Sequence, residues 1–248
     1  MDKNTLEDVY AHYNTEVTAC LFESETLKRH FQILKNNLSG TKILEVGCGI
    51  GTFSCMLAEL TDNLTIVDGS PSCLLHTKNR MIRENISIDR FNFIESLWDD
   101  FETEEKYSDV VFLRGAEHIE NPAKTISNLS KCLAPGGRIH ISVPNGRSLH
   151  RKVGAYMGML DRPESFTQGD YNVGHHHVFD FWSFRDLIVN NCKMDLVNSH
   201  GVMLKFLSNR QMTELFKQNK ELPMALHQVG QELPHLCAEL YYCAQNRE

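Results

Sequence analysis

The chain has 248 residues, and 25 Lys and Arg stand against 32 Asp and Glu, a formal net charge of −7. That balance excludes a protein held to nucleic acid by a basic surface, since such affinity comes mainly from neutralised phosphates. With 42% hydrophobic and 23% charged residues the chain is neither low-complexity nor collagen-like, and it is long enough to bury a substantial core. No run approaches the roughly 18 apolar residues needed to span a bilayer, and the opening MDKNTLEDVY is too acidic for a signal peptide, so no membrane association is expected. Eight cysteines lie scattered without a Cys-x-x-Cys pair, which is the usage of free thiols in a reducing, cytoplasmic setting.

In chain order, Leu6, Val9, Tyr10, Tyr13 and Val17 recur at helical spacing, and Leu27, Phe31, Ile33, Leu34 and Leu38 form a second helical run. Residues 1–40 are therefore expected to form an N-terminal helical lid on a domain of 41–248. As i and i+3 neighbours, Tyr10 and Tyr13 can face one site. After Ser39-Gly40 apolar runs at 43–46, 64–67, 91–94, 110–113 and 138–143 are separated by helical runs at 51–60, 70–85 and 123–133. Ser70-Pro71 supplies an N-cap and a first turn, and Pro135-Gly136-Gly137 ends a helix and turns the chain into the next strand. This alternation predicts an α/β fold, a doubly wound and mostly parallel sheet with helices on both faces.

The rhythm breaks at Pro144-Asn145-Gly146, and an insertion of about 144–180 precedes a helix at 184–191. An insertion of that length usually serves as a lid or a binding element. Runs at 194–197 and 236–243, with helices at 209–219 and 223–232 between them, bring the sheet to seven strands. The acidic stretch 99–105 reads as a solvated loop, and Trp98 and Trp182 as packing residues.

The strongest local signal is Glu45-Val46-Gly47-Cys48-Gly49-Ile50-Gly51-Thr52, a buried strand running through three alternating glycines into a helix. Glycines there allow a sharp turn and let a ligand lie against the main chain. Thr52 stands where a dinucleotide fingerprint needs its third glycine, and the Gly-Lys-Ser/Thr of a phosphate loop is absent. Glu45 would repel an anionic ligand and suit a cationic one.

In these residues the chain resembles the class I S-adenosylmethionine-dependent methyltransferases, whose first motif is Glu/Asp-x-Gly-x-Gly-x-Gly. The resemblance extends over most of the chain: Asp68 stands where that family's ribose-binding acid ends the second strand, followed by Gly69 and Ser70. Glu95, Ser96 and Leu97 match the positions near the adenine. The run Leu113-Arg114-Gly115-Ala116-Glu117-His118 is close to the family's segment after the fourth strand, and Leu-Ala-Pro-Gly-Gly-Arg at 133–138 matches its turn into the fifth. The resemblance implies S-adenosylmethionine as cofactor, held by Glu45, Gly47, Cys48, Gly49, Gly51, Asp68, Gly69, Ser70, Glu95, Ser96, Leu97, Leu113 and Arg114, with Tyr13 in a lid over it. Ala116 departs from a frequent family leucine.

A methyl acceptor is expected at the carboxyl ends of the later strands. Candidates there are Tyr10, Arg114, Asn145, Arg147, His150 and His177 as binding groups, with Arg147 and Arg151 able to clamp an anion. His175 is the first candidate general base and His118 the second, because imidazole suits proton transfer near neutral pH. In Gly174-His175-His176-His177 the first and third histidines would share one face of an extended segment. They could bind a metal, although no metal requirement is expected, because a sulfonium needs no Lewis acid. The reading is O-methylation of a small metabolite, an anionic one where the arginine clamp holds it. N- or C-methylation, and a non-catalytic cofactor-binding scaffold, remain open alternatives, as does the oligomeric state.

Overall fold

In the computed structural model, residues 20–247 are described; Leu6, Val9, Tyr10, Tyr13 and Val17 lie outside them. The runs rich in Ile, Val and Phe pair into one seven-stranded sheet in the order β3-β2-β1-β4-β5-β7-β6. Its strands are β1 (Lys42–Val46), β2 (Asn63–Asp68), β3 (Asn92–Glu95), β4 (Tyr107–Leu113), β5 (Leu133–Pro144), β6 (Met194–Leu204) and β7 (Cys237–Asn246). β1 to β5 run parallel, and β7 enters antiparallel between β5 and β6. Their central residues are sealed on both faces, as a sheet covered by crossover helices requires: Ile43, Leu44, Val46, Ile66, Val110, Phe112, Ile139 and Ile141 are fully buried.

The helices are α1 (Leu21–Lys35), α2 (Thr52–Leu57), α3 (Pro71–Arg83), α4 (Pro122–Ser130), α5 (Leu149–Tyr156), α6 (Gln168–Asn172), α7 (Phe181–Asp186), α8 (Asn209–Gln218) and α9 (Leu222–Glu232). The Ser70 hydroxyl caps α3 by accepting the Cys73 N–H at 3.1 Å, as Ser70-Pro71 predicts. α1 buries Phe22, Ile33 and Leu34, and Phe22 stacks on Phe216 of α8 at 5.9 Å. Of the expected lid, the described part thus packs into the body of the domain.

Several expectations are corrected. α4 ends at Ser130, and 133–137, expected as a plain turn, already belongs to β5 through the Tyr107–Leu133 pair and an irregularity before Asp109–Arg138. A Cβ at Gly137 would lie 2.9 Å from the Ser108 carbonyl, so only glycine lets the strands approach there. β6 and β7 run longer than their apolar cores, because their antiparallel pairing extends from Met194–Asn246 to Leu204–Cys237. The helix expected at 184–191 starts at Phe181, where Asp180 caps it, and closes in one wide turn at Leu187–Asn191. Trp182, read as a packing residue, is 66% exposed.

This topology gathers the ends of β1, β2, β4, β5 and β6 and the start of β7 along one edge. Pro144 pairs with Glu239 and Leu204 with Cys237 at that edge. The insertion returns to it through the bridge between Asn145 and Phe179. Nearer the opposite edge a buried chain of hydrogen bonds, Asp109 to His140 at 2.8 Å and His140 to Tyr241 at 2.7 Å, joins β4, β5 and β7. Asp109 also accepts the N–H groups of Ser39 and Gly40, which fixes the entry into β1.

Candidate functional site

At the end of β1 the three glycines all take left-handed conformations, with φ of 81° at Gly47, 53° at Gly49 and 75° at Gly51. Side chains would strain there. At Gly51 the demand is also steric, because a Cβ would lie 2.7 Å from the Thr77 Cα. At Gly49 a Cβ would meet no atom within 4 Å, so the missing side chain opens onto space. Asp68 at the end of β2 ties the loop together. Its Oδ2 accepts the Gly49 N–H at 3.2 Å and its Oδ1 the Ser70 N–H at 2.9 Å. Cys48 turns inward, donating its thiol toward Asp68 at 3.5 Å. Ser96 donates its N–H to the Asp68 carbonyl at 3.1 Å, which sets the segment after β3 beside this acid.

Burial raises the Asp68 carboxyl, an effect partly offset by the N–H groups of Ser70 and Gly49. Burial also pushes Glu45 to about 8, with the Ser54 hydroxyl lowering it and the charge of Asp68 raising it further. Glu45 Oε2 and Trp98 Nε1 are buried without a hydrogen-bond partner among the described residues. The Trp98 ring would lie 3.5 Å from a Cβ at Gly47 and packs edge-on against Phe112. The loop is thus an acidic, glycine-floored cradle with unspent polar atoms, suited to a ligand carrying hydroxyls and positive charge.

Beyond β4 the edge opens into a cavity of about 250 Å³. It is lined by Glu23 of α1, Arg114 and Glu117 after β4, Asn145 and His150 after β5, Asp170, His175 and His177 of the insertion, Lys205 after β6 and Glu239 of β7. Arg114 has φ 54°, a conformation strained in a non-glycine residue, and it is anchored on both sides. Its guanidinium pairs with Glu23 at 2.8 Å and with both carboxylate oxygens of Glu239, one through Nε at 2.9 Å. Burial opposes its charge, but the two carboxylates outweigh burial and hold Arg114 well above its ordinary value. His30 joins the same network at 2.7 Å from Glu239.

Across the cavity His175 Nδ1 meets Asp170 Oδ1 at 3.1 Å. Burial pushes Asp170 up, yet the hydrogen bonds from His175 and Thr167 and the charge of Arg151 outweigh it and hold the acid well below its ordinary range. The His118 and His175 rings meet edge to face at 4.7 Å. Burial, reinforced by His175, lowers His118 to about 4; burial raises Glu117 to about 7, with His175 offsetting part of the rise. Glu117 Oε2 and His118 Nδ1 are buried without partners among the described residues. Ligand atoms of Glu117, His118 and His175 all lie within 4.8 Å of one another, a spacing that could hold a metal ion.

The expected residues are therefore distributed unevenly. Glu45, Gly47, Cys48, Gly49, Gly51, Asp68, Gly69, Ser70, Glu95, Ser96 and Leu97 fall along one stretch of the edge, with Leu113 and Arg114 at its far end. Asn145, His150, His175 and His177 line the cavity, and His175 and His177 share its wall as expected of alternate positions while His176 is exposed. The Arg147–Arg151 clamp does not form. Arg147, half exposed, pairs with Glu164 at 3.1 Å, and Arg151 is spent on Asp170 and on the carbonyls of Pro163 and Ser165. Asn145 donates its amide to the carbonyls of His235 and Cys237, which anchors the turn. Sequence reasoning missed Glu23, His30, Asp170, Lys205 and Glu239. Glu239 alone carried a signal, an acid inside the apolar run 236–243.

The strand order, the single antiparallel strand and the glycine cradle beside an acidic second-strand end define a methyltransferase fold, and the chain belongs to the family whose model is described as "Methyltransferase domain", matched over residues 13–219. Its curated relatives include ubiquinone biosynthesis O-methyltransferase from Rickettsia conorii (strain ATCC VR-613 / Malish 7), 30% identical over 136 residues, which are 55% of this chain and 46% of the relative. The mitochondrial ubiquinone biosynthesis O-methyltransferase of Dictyostelium discoideum is 29% identical over 170 residues, 63% of this chain and 51% of the relative. The chain spans about half the length of the curated relatives it matches. Among solved structures, N-methyltransferase NodS from Bradyrhizobium japonicum WM9, in complex with S-adenosyl-L-homocysteine, shares the fold with a TM-score of 0.57 at 19% identity, over 94% of this chain and 92% of that one. Among the described residues no helix is long and apolar enough to cross a membrane.

Proposed function

We propose that the protein is an S-adenosylmethionine-dependent O-methyltransferase of a small metabolite, with His175 as general base. The observation that carries the reading is the cradle at 47–51, where three left-handed glycines and the Asp68 carboxylate frame an open floor. S-adenosylmethionine bound there would supply a methyl group on a cationic sulfur, a leaving group already activated. Asp68 would take the ribose hydroxyls on its remaining lone pairs, and the buried Glu45 carboxyl, held largely protonated at neutral pH, would give up its proton as the positive end of the ligand approaches. Curated relatives named as O-methyltransferases support oxygen as the acceptor atom.

Asp170 accepts from His175 Nδ1, which leaves Nε2 as the lone-pair nitrogen able to take a hydroxyl proton. The oxygen then gains the methyl group as its proton passes to Nε2. A cavity of about 250 Å³ suits a metabolite rather than a polymer, and the charge of −7 disfavours nucleic acid. Eight free thiols, most of them buried, suit the cytoplasm.

The test is calorimetry with S-adenosylhomocysteine, followed by methyl transfer from labelled S-adenosylmethionine to a fractionated metabolite extract. Wild type is expected to bind and to label a small molecule, and Asp68→Ala to bind about 100-fold more weakly, the loss of two hydrogen bonds to a charged group. Equal binding by Asp68→Ala would overturn the cofactor assignment. Labelling of RNA or protein alone would overturn the acceptor class.

A further inference from the structure

Among the described residues Lys205 is the cavity cation with no acid in direct contact, and at longer range Glu23 and Glu239 act on it as well as on Arg114. β6 ends at Leu204, paired with Cys237, and the next residue is fixed by its carbonyl, which accepts the His150 N–H at 3.0 Å. Its ammonium lies over the Phe22 ring, 5.3 Å from the centroid. Among the described residues no carboxylate oxygen comes within 4.0 Å of it. The other cavity cations are committed: Arg114 to Glu23 and Glu239, and Arg151 to Asp170. Burial lowers the Lys205 ammonium to about 8, with Glu23 and Glu239 offsetting part of the fall. An amine desolvated in this way gains most from an anion brought to it.

We propose that Lys205 is the specificity residue of the acceptor pocket, and that the acceptor carries a carboxylate seated on it. One ammonium with no acid in direct contact suits a single carboxylate; a phosphate group would call for further free cations, and both cavity arginines are spent. The volume agrees with this class. A cavity of roughly 150 Å³ holds benzene, so about 250 Å³ admits a single ring with its substituents. Lys205 follows β6, at the far side of the edge from the Asp68 cradle, so carboxylate and methyl group would enter from opposite sides. The inference rests on the methyltransferase reading for the word acceptor, but not for the anion site itself.

The experiment titrates 4-fluorobenzoate and 4-fluorobenzamide, followed by fluorine NMR, into wild type, Lys205→Met and Lys205→Arg, each with and without saturating S-adenosylhomocysteine. The acid should bind wild type, lose about 10-fold or more in Lys205→Met as a charge-assisted contact disappears, and recover in Lys205→Arg. The amide should bind all three equally weakly, and the affinity for S-adenosylhomocysteine should be the same in all. Equal binding of acid and amide to wild type, no binding of the acid at its solubility limit, or no loss in Lys205→Met overturns the proposal. Weakened S-adenosylhomocysteine binding in Lys205→Met also overturns it, by assigning the ammonium to the cofactor's own carboxylate. Failure of wild type to bind S-adenosylhomocysteine would instead count against the methyltransferase reading, and the titration without it would still decide the anion site.

Discussion

Between β1 and β2 the groups facing the cradle come from two short stretches, 45–51 and 68–70, and their geometry is written in local backbone rules. Around β4 to β7 the corresponding groups, Glu23, Arg114, Asp170, His175, Lys205 and Glu239, come from five separate segments. The first region is held by glycine conformation and main-chain N–H groups, the second by buried charges that must find one another across the fold. A loop of the first kind can pass unchanged between proteins that bind the same ligand, whereas the second kind can be rebuilt one charge at a time. On the proposed reading the contrast makes cofactor and acceptor recognition separable, and variants can test that separation.

The largest expected effect lies in the acceptor region. His175→Ala should slow single-turnover methyl transfer by roughly 10²–10⁴-fold, while S-adenosylhomocysteine affinity by calorimetry stays unchanged. Asp170→Asn, which weakens the partner that orients the imidazole along with the Arg151 pair and the Thr167 cap, should give a smaller loss. A normal rate in His175→Ala with a collapse in His118→Ala would move the role to the second histidine. Normal rates in both would mean that alignment alone suffices.

Arg114→Met comes next, since it leaves Glu23 and Glu239 buried without their cation. Breaking such a pair costs about 3–5 kcal/mol, and the 24% side-chain exposure of Arg114 favours the low end. At roughly 2–4 °C per kcal/mol for a chain of this size, the melting temperature should fall by about 6–12 °C. A fall under about 2 °C would show that the network contributes little.

A smaller effect belongs to the cradle. Glu45 is held above its ordinary value of 4.5, at about 8, so folding favours its protonated form. That contribution is complete below about pH 4.5 and is lost as the pH rises through about 8, with a slope of at most about 1.4 kcal/mol per pH unit. Wild type should therefore lose stability relative to Glu45→Gln across this window, as thermal melts of both proteins at several pH values would show. Parallel melting curves at every pH would remove the carboxyl from this account.

The smallest expected effect is that of a chelator. Transfer by dialysed enzyme should be unchanged by EDTA, because the leaving group needs no Lewis acid. Activity abolished by chelation and restored by one divalent ion would recast Glu117, His118 and His175 as ligands and remove His175 from proton transfer.

By itself the sequence determined the alternation of strands and helices, the glycine turn and the acid closing the second strand. Each of these depends on neighbours within a few residues: β-branched runs make buried strands, and only glycine accepts the left-handed turns at Gly47, Gly49 and Gly51. It also anticipated His175 and His177 on one side of their segment, and both line the cavity, although His176 and His177 give their N–H groups to the same Glu117 carbonyl and the segment is not a regular strand. The tertiary structure decided which charges are free to act. Arg147 and Arg151 looked available as anion clamps, yet Arg147 meets Glu164 and Arg151 is spent on Asp170 and two carbonyls. Lys205 gave no signal along the chain, and it stands out only because β6 ends beside Phe22 and no acid comes into direct contact with it among the described residues. Spacing along a chain fixes local conformation, but whether a charge is neutralised depends on residues far away in sequence that packing brings within a few ångströms.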